Sequence, residues 1–405
     1  MTNSILEALK QGEVFNAHRT FGKRFFFSSE DMEFGFLFFL GMIVHGGCAL
    51  GEMLYLVQQV DPKKPETWVQ ASVEIAERVN ARARHSLNGG HLVSAREGLL
   101  RASNYHRWAT AMLSPRKDRG QWEAQFKLAR ALFQEAGQLF DPPMEVLQIP
   151  FEGKNLPGYF LKPIDDPGPR KTLLVIGGGE TFAEDLYFHI APAALARGYN
   201  FATVDLPGQG GLPLEGLTFR TDMDVPMHTV LDHLLTRSDI DPERMAAYGI
   251  SAGGYIVPRT AAYDQRIKAC VANSLLYDLN RVFKASVLQF GNLFKKHDPM
   301  TWYILDMIAW RWGASNPMGL LAKNREAKFD PSLLTCPTLI VIGEGEYTGS
   351  KEAQYQQHSG LEAIQNKHKE LVITPLDEGA GHHVLGDNLA LMSQVVLDWL
   401  DKVLK

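Results

Sequence analysis

The run Gly249-Ile250-Ser251-Ala252-Gly253-Gly254 can present a serine hydroxyl as a nucleophile. The bare Gly-x-Ser-x-Gly spacing arises by chance in about one chain in ten of this length, so its surroundings decide. Met245-Ala246-Ala247-Tyr248 reads as a strand that runs straight into the motif, and a helical pattern leaves it. Such a strand–turn–helix holds the serine on a tight, strained turn with its oxygen exposed. The glycines are needed where neighbouring backbone leaves no room for a Cβ. The alternative is a plain glycine-rich turn with no chemistry.

A serine hydroxyl is a poor nucleophile until a base takes its proton. With the serine on such a turn, the base comes last in the chain and the acid that orients it comes between. The last apolar run, Leu371-Val372-Ile373, leads to Glu378-Gly379-Ala380-Gly381-His382-His383. The base is expected there, and the residues alone leave both histidines open. The acid is expected after the strand before it, where Thr338 to Ile342 leads into Gly343-Glu344-Gly345-Glu346. Glu346 takes that role, with Glu344, nearer the strand end, as the substitute. A glutamate can orient the imidazole and stabilise its charged form. A developing oxyanion needs preorganised N–H donors. One is the backbone N–H of Ala252. The other is expected from Ile176-Gly177-Gly178-Gly179-Glu180, with Gly179 and Glu180 as candidates. That loop lacks the spacing of a phosphate-binding loop.

No metal site and no cofactor are expected. The 13 histidines include no His-Glu-x-x-His run, and Cys48, Cys270 and Cys336 are widely spaced. Such cysteines make neither a disulfide framework nor a ligand cluster. His85, His91, His106 and His189 read as surface or helix-packing residues.

The elements that must position these groups fall into two parts. Up to Pro142 the apolar residues recur with helical spacing. Stripes run through Trp68, Ser72, Ile75, Ala76 and Val79, through Leu99, Leu100, Tyr105, Trp108, Ala109 and Met112, and through Trp122, Phe126, Ala129, Leu132, Phe133 and Ala136. Residues 1–142 are therefore expected to form a helical cap and dimerisation domain. From 143 to 405, short apolar runs alternate with helical stretches. Eight strands are expected, at 144–151, 157–162, 172–176, 201–205, 245–248, 267–272, 338–342 and 369–374. Alternation of this kind predicts a mostly parallel sheet covered by helices on both faces. The first two strands lack an intervening helix and should pair as an antiparallel hairpin at the edge. A helical insertion at 277–328, rich in aromatics (Phe283, Phe290, Trp302, Tyr303, Trp310, Trp312), should cap the site. Its aromatic character favours an apolar or aromatic small molecule as substrate.

The 405 residues are 45% hydrophobic and 21% charged, with net charge −5. That balance gives no footprint for nucleic acid or anionic lipid. Met1 to Asn16 has no apolar core behind a basic start, so no secretory leader is expected. Phe34 to Val44 is almost wholly apolar but about half as long as a membrane span. It reads as a buried helix, a pocket wall or a subunit contact. Together with Phe25-Phe26-Phe27 it predicts a self-complementary patch and a homodimer. A cytoplasmic location fits the unpaired cysteines.

At these residues the chain resembles the α/β-hydrolases with a helical N-terminal domain, a group that includes 2,6-dihydroxypseudooxynicotine hydrolase. Fungal polyketide-shortening hydrolases and the fermentation–respiration switch group are relatives. The matching segments are Gly177-Gly178-Gly179-Glu180 with Glu184-Asp185 and Tyr187, then Arg197-Gly198-Tyr199, then Asp205-Leu206-Pro207-Gly208-Gln209-Gly210. Gly249 to Arg259, Glu378 to Gly381 with a histidine two places on, and Arg101-Ala102-Ser103-Asn104-Tyr105 match as well. The resemblance implies the α/β-hydrolase fold, Ser251 as nucleophile, His383 rather than His382 as base, and an acid after the penultimate strand. Here that acid is Glu346 where an aspartate is common. It further implies hydrolysis through an acyl-enzyme, as a carbon–carbon bond hydrolase on a ketone, β-diketone or polyketide-like molecule of secondary metabolism. A carboxylesterase or lactonase is the alternative, and a non-catalytic binding or regulatory protein on the same fold is a third. Asp278, His382 and Tyr105 are the candidates for further pocket residues. An ordinary acid at a helix N-terminus is the competing reading of Asp278.

Overall fold

The computed structural model describes residues 25–405 apart from 28, 165–167, 286–298 and 317. Eight strands form one sheet in the order β1-β2-β4-β3-β5-β6-β7-β8. They are β1 Glu145–Phe151, β2 Lys154–Leu161, β3 Arg170–Ile176, β4 Asn200–Val204, β5 Ile240–Ile250, β6 Ala269–Asn273, β7 Thr338–Gly343 and β8 Lys369–Thr374. β1 and β2 pair antiparallel, and Glu152 (φ 47°) and Gly153 (φ 76°) make the two-residue turn between Phe151 and Lys154. Two positive φ values in such a turn match the twist of the strands they join. β2 meets β4 antiparallel, and all later pairs are parallel. This is the eight-stranded α/β-hydrolase sheet expected above, hairpin edge included.

The central strands β4, β6 and β7 are buried along their whole length. The reason is a core on each face. Leu173 and Val175 of β3 point into one, and Leu174 and Ile176 into the other. Successive side chains of a strand alternate between faces, so a strand covered on both sides reads as an unbroken apolar run.

One face is covered by α6 (Ala183–Ala196) and α13 (Leu389–Val403), together with five earlier helices. These are α1 Glu30–Gly41, α2 Leu50–Val57, α3 Pro65–Asn88, α4 Leu92–Ala109 and α5 Arg119–Gly137. The second face holds α7 (Asp224–Leu234) and α8 (Gly253–Tyr263), with residues of α9 (Pro299–Arg311) and α10 (Gly319–Lys323) from the insertion. After β7 come α11 (Glu344–Thr348) and α12 (Lys351–Ala363). The apolar stripes of α3, α4 and α5 bury the positions expected from their spacing. They share one core with the sheet, so the helical layer is built onto it. Trp68 and Trp108 meet edge to face at 4.5 Å, and Trp68 Nε1 donates to Trp108 O at 3.1 Å.

The apolar segment at 34–44 forms most of α1 and the short turn Met42–His45. Among the described residues no helix is long and apolar enough to cross a membrane. Glu33 of α1 is buried, and its carboxylate accepts the backbone N–H groups of Phe25, Phe26 and Phe27. Phe27 is thereby tucked into the core, while Phe25 and Phe26 remain exposed. The insertion is pinned at its base by a bridge between Asp278 and Lys328. Phe290 and the side chains of Trp302 and Tyr303 lie outside the described residues.

Candidate active site

β5 runs into Ser251, whose φ is 57°. A serine in the left-handed region costs about 1–3 kcal/mol and persists only where its surroundings dictate it. They do so here. A Cβ on Gly249 would lie 2.0 Å from Gly253 O, one on Gly253 2.3 Å from Ile176 O, and one on Gly254 1.8 Å from Ser274 O. The Ser251 N–H donates to Asn273 O at 2.6 Å. The backbone is thus drawn tight, and the hydroxyl is left facing outward.

His383 Nε2 lies 3.0 Å from Ser251 Oγ. Its Nδ1 lies 2.8 Å from Glu346 Oε1. Glu346 is buried, 4% exposed, on the helical turn α11 that begins directly after β7. Gly381 O joins the two loops by accepting from the N–H groups of Gly345 (3.0 Å) and Glu346 (3.3 Å). The histidine loop turns through Val384 (φ 56°) and Leu385 (φ 55°), two further non-glycine residues held left-handed. Asp387 caps it from inside by accepting the N–H of Gly381 at 3.0 Å and of His382 at 3.3 Å.

The neighbours of these groups lie elsewhere. Glu344 accepts the backbone N–H of Leu376 at 2.8 Å and so is spent on the loop after β8. His382 is buried, 2% exposed, and does not line the cavity at Ser251. Burial lowers its pKa to about 4. It is a packed neutral imidazole, which corrects its assignment to the pocket. Tyr105 is corrected likewise. Its hydroxyl donates to Glu52 at 2.7 Å and accepts from Ala49 N at 3.2 Å, within the helical layer. The run 101–105 is structural throughout: Arg101 also pairs with Glu52, Ser103 with Ala129 O and Asn104 with Gly47 O. Asp278 is outside the cavity too, and its carboxylate caps the next helical turn through the Arg281 N–H at 3.0 Å.

A cavity of about 230 Å³ opens on Ser251 and His383. Phe34, Phe38 and Phe39 of α1 form one wall, and Phe283, Ile308 and Trp312 of the insertion form another. Gly178, Gly179, Glu180 and Ala252 lie beside the serine. Sequence reasoning missed three polar neighbours. His189, read as a packing residue, lines the cavity fully buried, and burial lowers its pKa to about 3. Arg107 of α4 and Asp185 of α6 line it as a buried pair. Arg107 Nη2 reaches Asp185 Oδ2 at 2.9 Å and Glu180 O at 2.8 Å. Burial pushes the Asp185 carboxyl above its ordinary value even with Arg107 beside it. Beyond them Arg130 of α5 bridges Glu184 (2.7 Å) and Asp205 (2.6 Å). The Glu184-Asp185 match was the available signal, since a buried carboxylate calls for a partner.

A family model described as Esterase FrsA-like matches residues 76–316. The chain belongs to the FrsA-like esterase family. The matched stretch of this FrsA-like chain holds Arg107, Gln209 and Ser251, and ends before Glu346 and His383. The chain is 30% identical to the 20-hydroxy-prefusarin hydrolase FUS2 of Gibberella moniliformis over 93% of its own length and 97% of that protein. With the α/β-hydrolase ucsC of an Acremonium species it shares 34% identity over 59% of its length and 52% of the relative's. Among solved structures it is similar to 2,6-dihydroxy-pseudo-oxynicotine hydrolase, with a TM-score of 0.73 and 22% identity over 90% of this chain and 95% of that one. That likeness shows a shared fold. FrsA-like membership and the fungal relatives make the chain a hydrolase of the α/β-hydrolase type.

Proposed function

We propose that this hydrolase cleaves a carbonyl compound through an acyl-enzyme on Ser251. The observation that carries the reading is the run from Ser251 Oγ through both nitrogens of His383 to Glu346, at 3.0 and 2.8 Å. His383 Nε2 accepts the hydroxyl proton as Oγ bonds to the substrate's carbonyl carbon. Glu346 holds the imidazole by Nδ1–H and stabilises the imidazolium that forms. The carbonyl oxygen, now an anion, is met by the N–H groups of Ala252 and of Gly179 or Glu180. When the adduct collapses, the bond to the leaving group breaks and the imidazolium gives it the proton. Where a ketone-stabilised carbanion leaves, that proton goes to carbon. His383 then takes a proton from a water as its oxygen bonds to the acyl carbon, and returns that proton to Ser251 Oγ as the ester bond breaks and the acid leaves.

The substrate of this reading is an apolar or aromatic small molecule of the ketone, β-diketone or polyketide-like kind, cleaved at a carbon–carbon bond. The phenylalanine and tryptophan walls of the cavity support it. So do the relatives that are named for acting on 20-hydroxy-prefusarin and 2,6-dihydroxy-pseudo-oxynicotine. The family description favours a second reading, a carboxylesterase with the same triad. In both, residues 1–142 are the cap and the dimerisation unit, 143–405 the catalytic unit, and 277–328 the insertion that closes the site. The working form is a cytoplasmic homodimer. Purified protein is assayed on aryl β-diketones and short p-nitrophenyl esters, with Ser251→Ala alongside. The first reading expects faster turnover of the β-diketones, lost in Ser251→Ala. Turnover of esters alone selects the esterase, and turnover that survives in Ser251→Ala overturns both.

A further inference from the structure

The glycine loop after β3 is gripped from behind by a side chain that does not line the cavity at Ser251. Gln209 is buried, 2% exposed. Its Oε1 accepts the Leu206 N–H at 3.0 Å, which fixes the orientation of the amide. Nε2 then donates to Gly177 O at 2.6 Å and to Gly178 O at 3.1 Å. Thr181 Oγ1 adds a second donor to Gly178 O at 3.2 Å. Among the described residues the cis peptides are 141–142 and 273–274, so the peptides 177–178 and 178–179 are trans. In a planar trans peptide the carbonyl oxygen and the next N–H point to opposite sides. Holding both carbonyls on Gln209 therefore turns the N–H groups of Gly178 and Gly179 away from it. Ser251 is close by: a Cβ on Gly178 would lie 3.1 Å from Ser251 Oγ.

The loop that carries Gln209 is shaped to deliver it. Gly208 (φ 92°) and Gly210 (φ 51°) flank it, both left-handed. A Cβ on Gly210 would lie 2.0 Å from Asp205 Oδ2. Arg311, wholly buried at the end of α9, donates Nη1 to Gly208 O at 3.0 Å. The segment Asp205-Leu206-Pro207-Gly208-Gln209-Gly210 thus ends in one product, an amide aimed at two carbonyls.

We propose that Gln209 is a positioning residue for the oxyanion hole. It orients the 178–179 peptide so that the Gly179 N–H faces the anion formed when Ser251 attacks a carbonyl. The proposal rests on the acyl-enzyme reading above. Gln209→Glu keeps the acceptor for Leu206 but removes both donors and sets an oxygen against two carbonyls. Gln209→Met removes the donors without adding charge, and serves if the glutamate variant does not fold. Each is measured on p-nitrophenyl butyrate and with an aryl trifluoromethyl ketone, which forms a tetrahedral oxyanion on a serine. Active sites are counted by fluorophosphonate titration. Expected is a fall in kcat per active site of about 10²-fold with KM little changed. The inhibition constant of the ketone should rise by a matching factor. A merely structural defect lowers the count of active sites and leaves that constant unmoved; this result, or an unchanged kcat, overturns the proposal. Wild-type protein inert to both probes overturns the serine reading itself.

Discussion

His383 spends both ring nitrogens on the site, while its neighbour His382 is folded into the protein behind it. The difference follows from the turn. Consecutive residues on a loop project in different directions, and here His383 reaches Ser251 while His382 is buried. Their roles should separate in kinetics. His383→Ala is expected to lower kcat per folded molecule by roughly 10³-fold or more, and His382→Ala far less. Steady-state rates on one ester, normalised by circular dichroism, give the comparison. The reverse ranking would move the base to His382. Glu346 sits one carbon further from the backbone than an aspartate would, and its helical turn places that longer side chain at 2.8 Å from Nδ1. Glu344, two residues earlier, is turned to Leu376 instead.

Between elements, the helical layer is tied to the catalytic half by charge as well as by apolar packing. Arg107 of α4 joins Asp185 of α6 and the carbonyl of Glu180. Removing one member of a buried pair strands the other charge, at a cost of about 3–5 kcal/mol. Arg107→Met should therefore destabilise by about that much in urea unfolding, and Arg107→Met with Asp185→Leu by clearly less. A double variant that loses the sum of what Arg107→Met and Asp185→Leu lose singly would show that the pair is not coupled. This tie was hidden in the sequence for a physical reason. The stripe Leu99 to Met112 reports the face that packs, whereas Arg107 takes a partner 78 positions away that periodicity cannot see. The strands were legible because burial on both faces leaves unbroken apolar runs, as in β6 and β7. Ser251 was legible because its glycines answer to backbone contacts within a few residues or the next strand. Tyr105 and Asp278 went the other way. Their residue types suit a pocket, and only tertiary packing shows that one bonds Glu52 and the other caps a helix.

At the scale of the molecule, large apolar side chains remain exposed along the first described stretch: Phe25, Phe26, Ile43, Val44, Leu50 and Leu54. They are close in sequence, and we expect two copies to associate through these side chains. Light scattering should give a dimer at micromolar concentration, and Leu50→Glu with Leu54→Glu should shift it to monomer. A monomeric wild type would remove the association from the account. Everything in the proposed chemistry nevertheless converges on one oxygen atom. The most direct test is to label the folded protein with an alkyl fluorophosphonate and map the adduct by mass spectrometry. A single adduct on Ser251, formed about 10²-fold more slowly in His383→Ala and absent in Ser251→Ala, is the predicted result. No adduct, or an adduct on another residue, would contradict it.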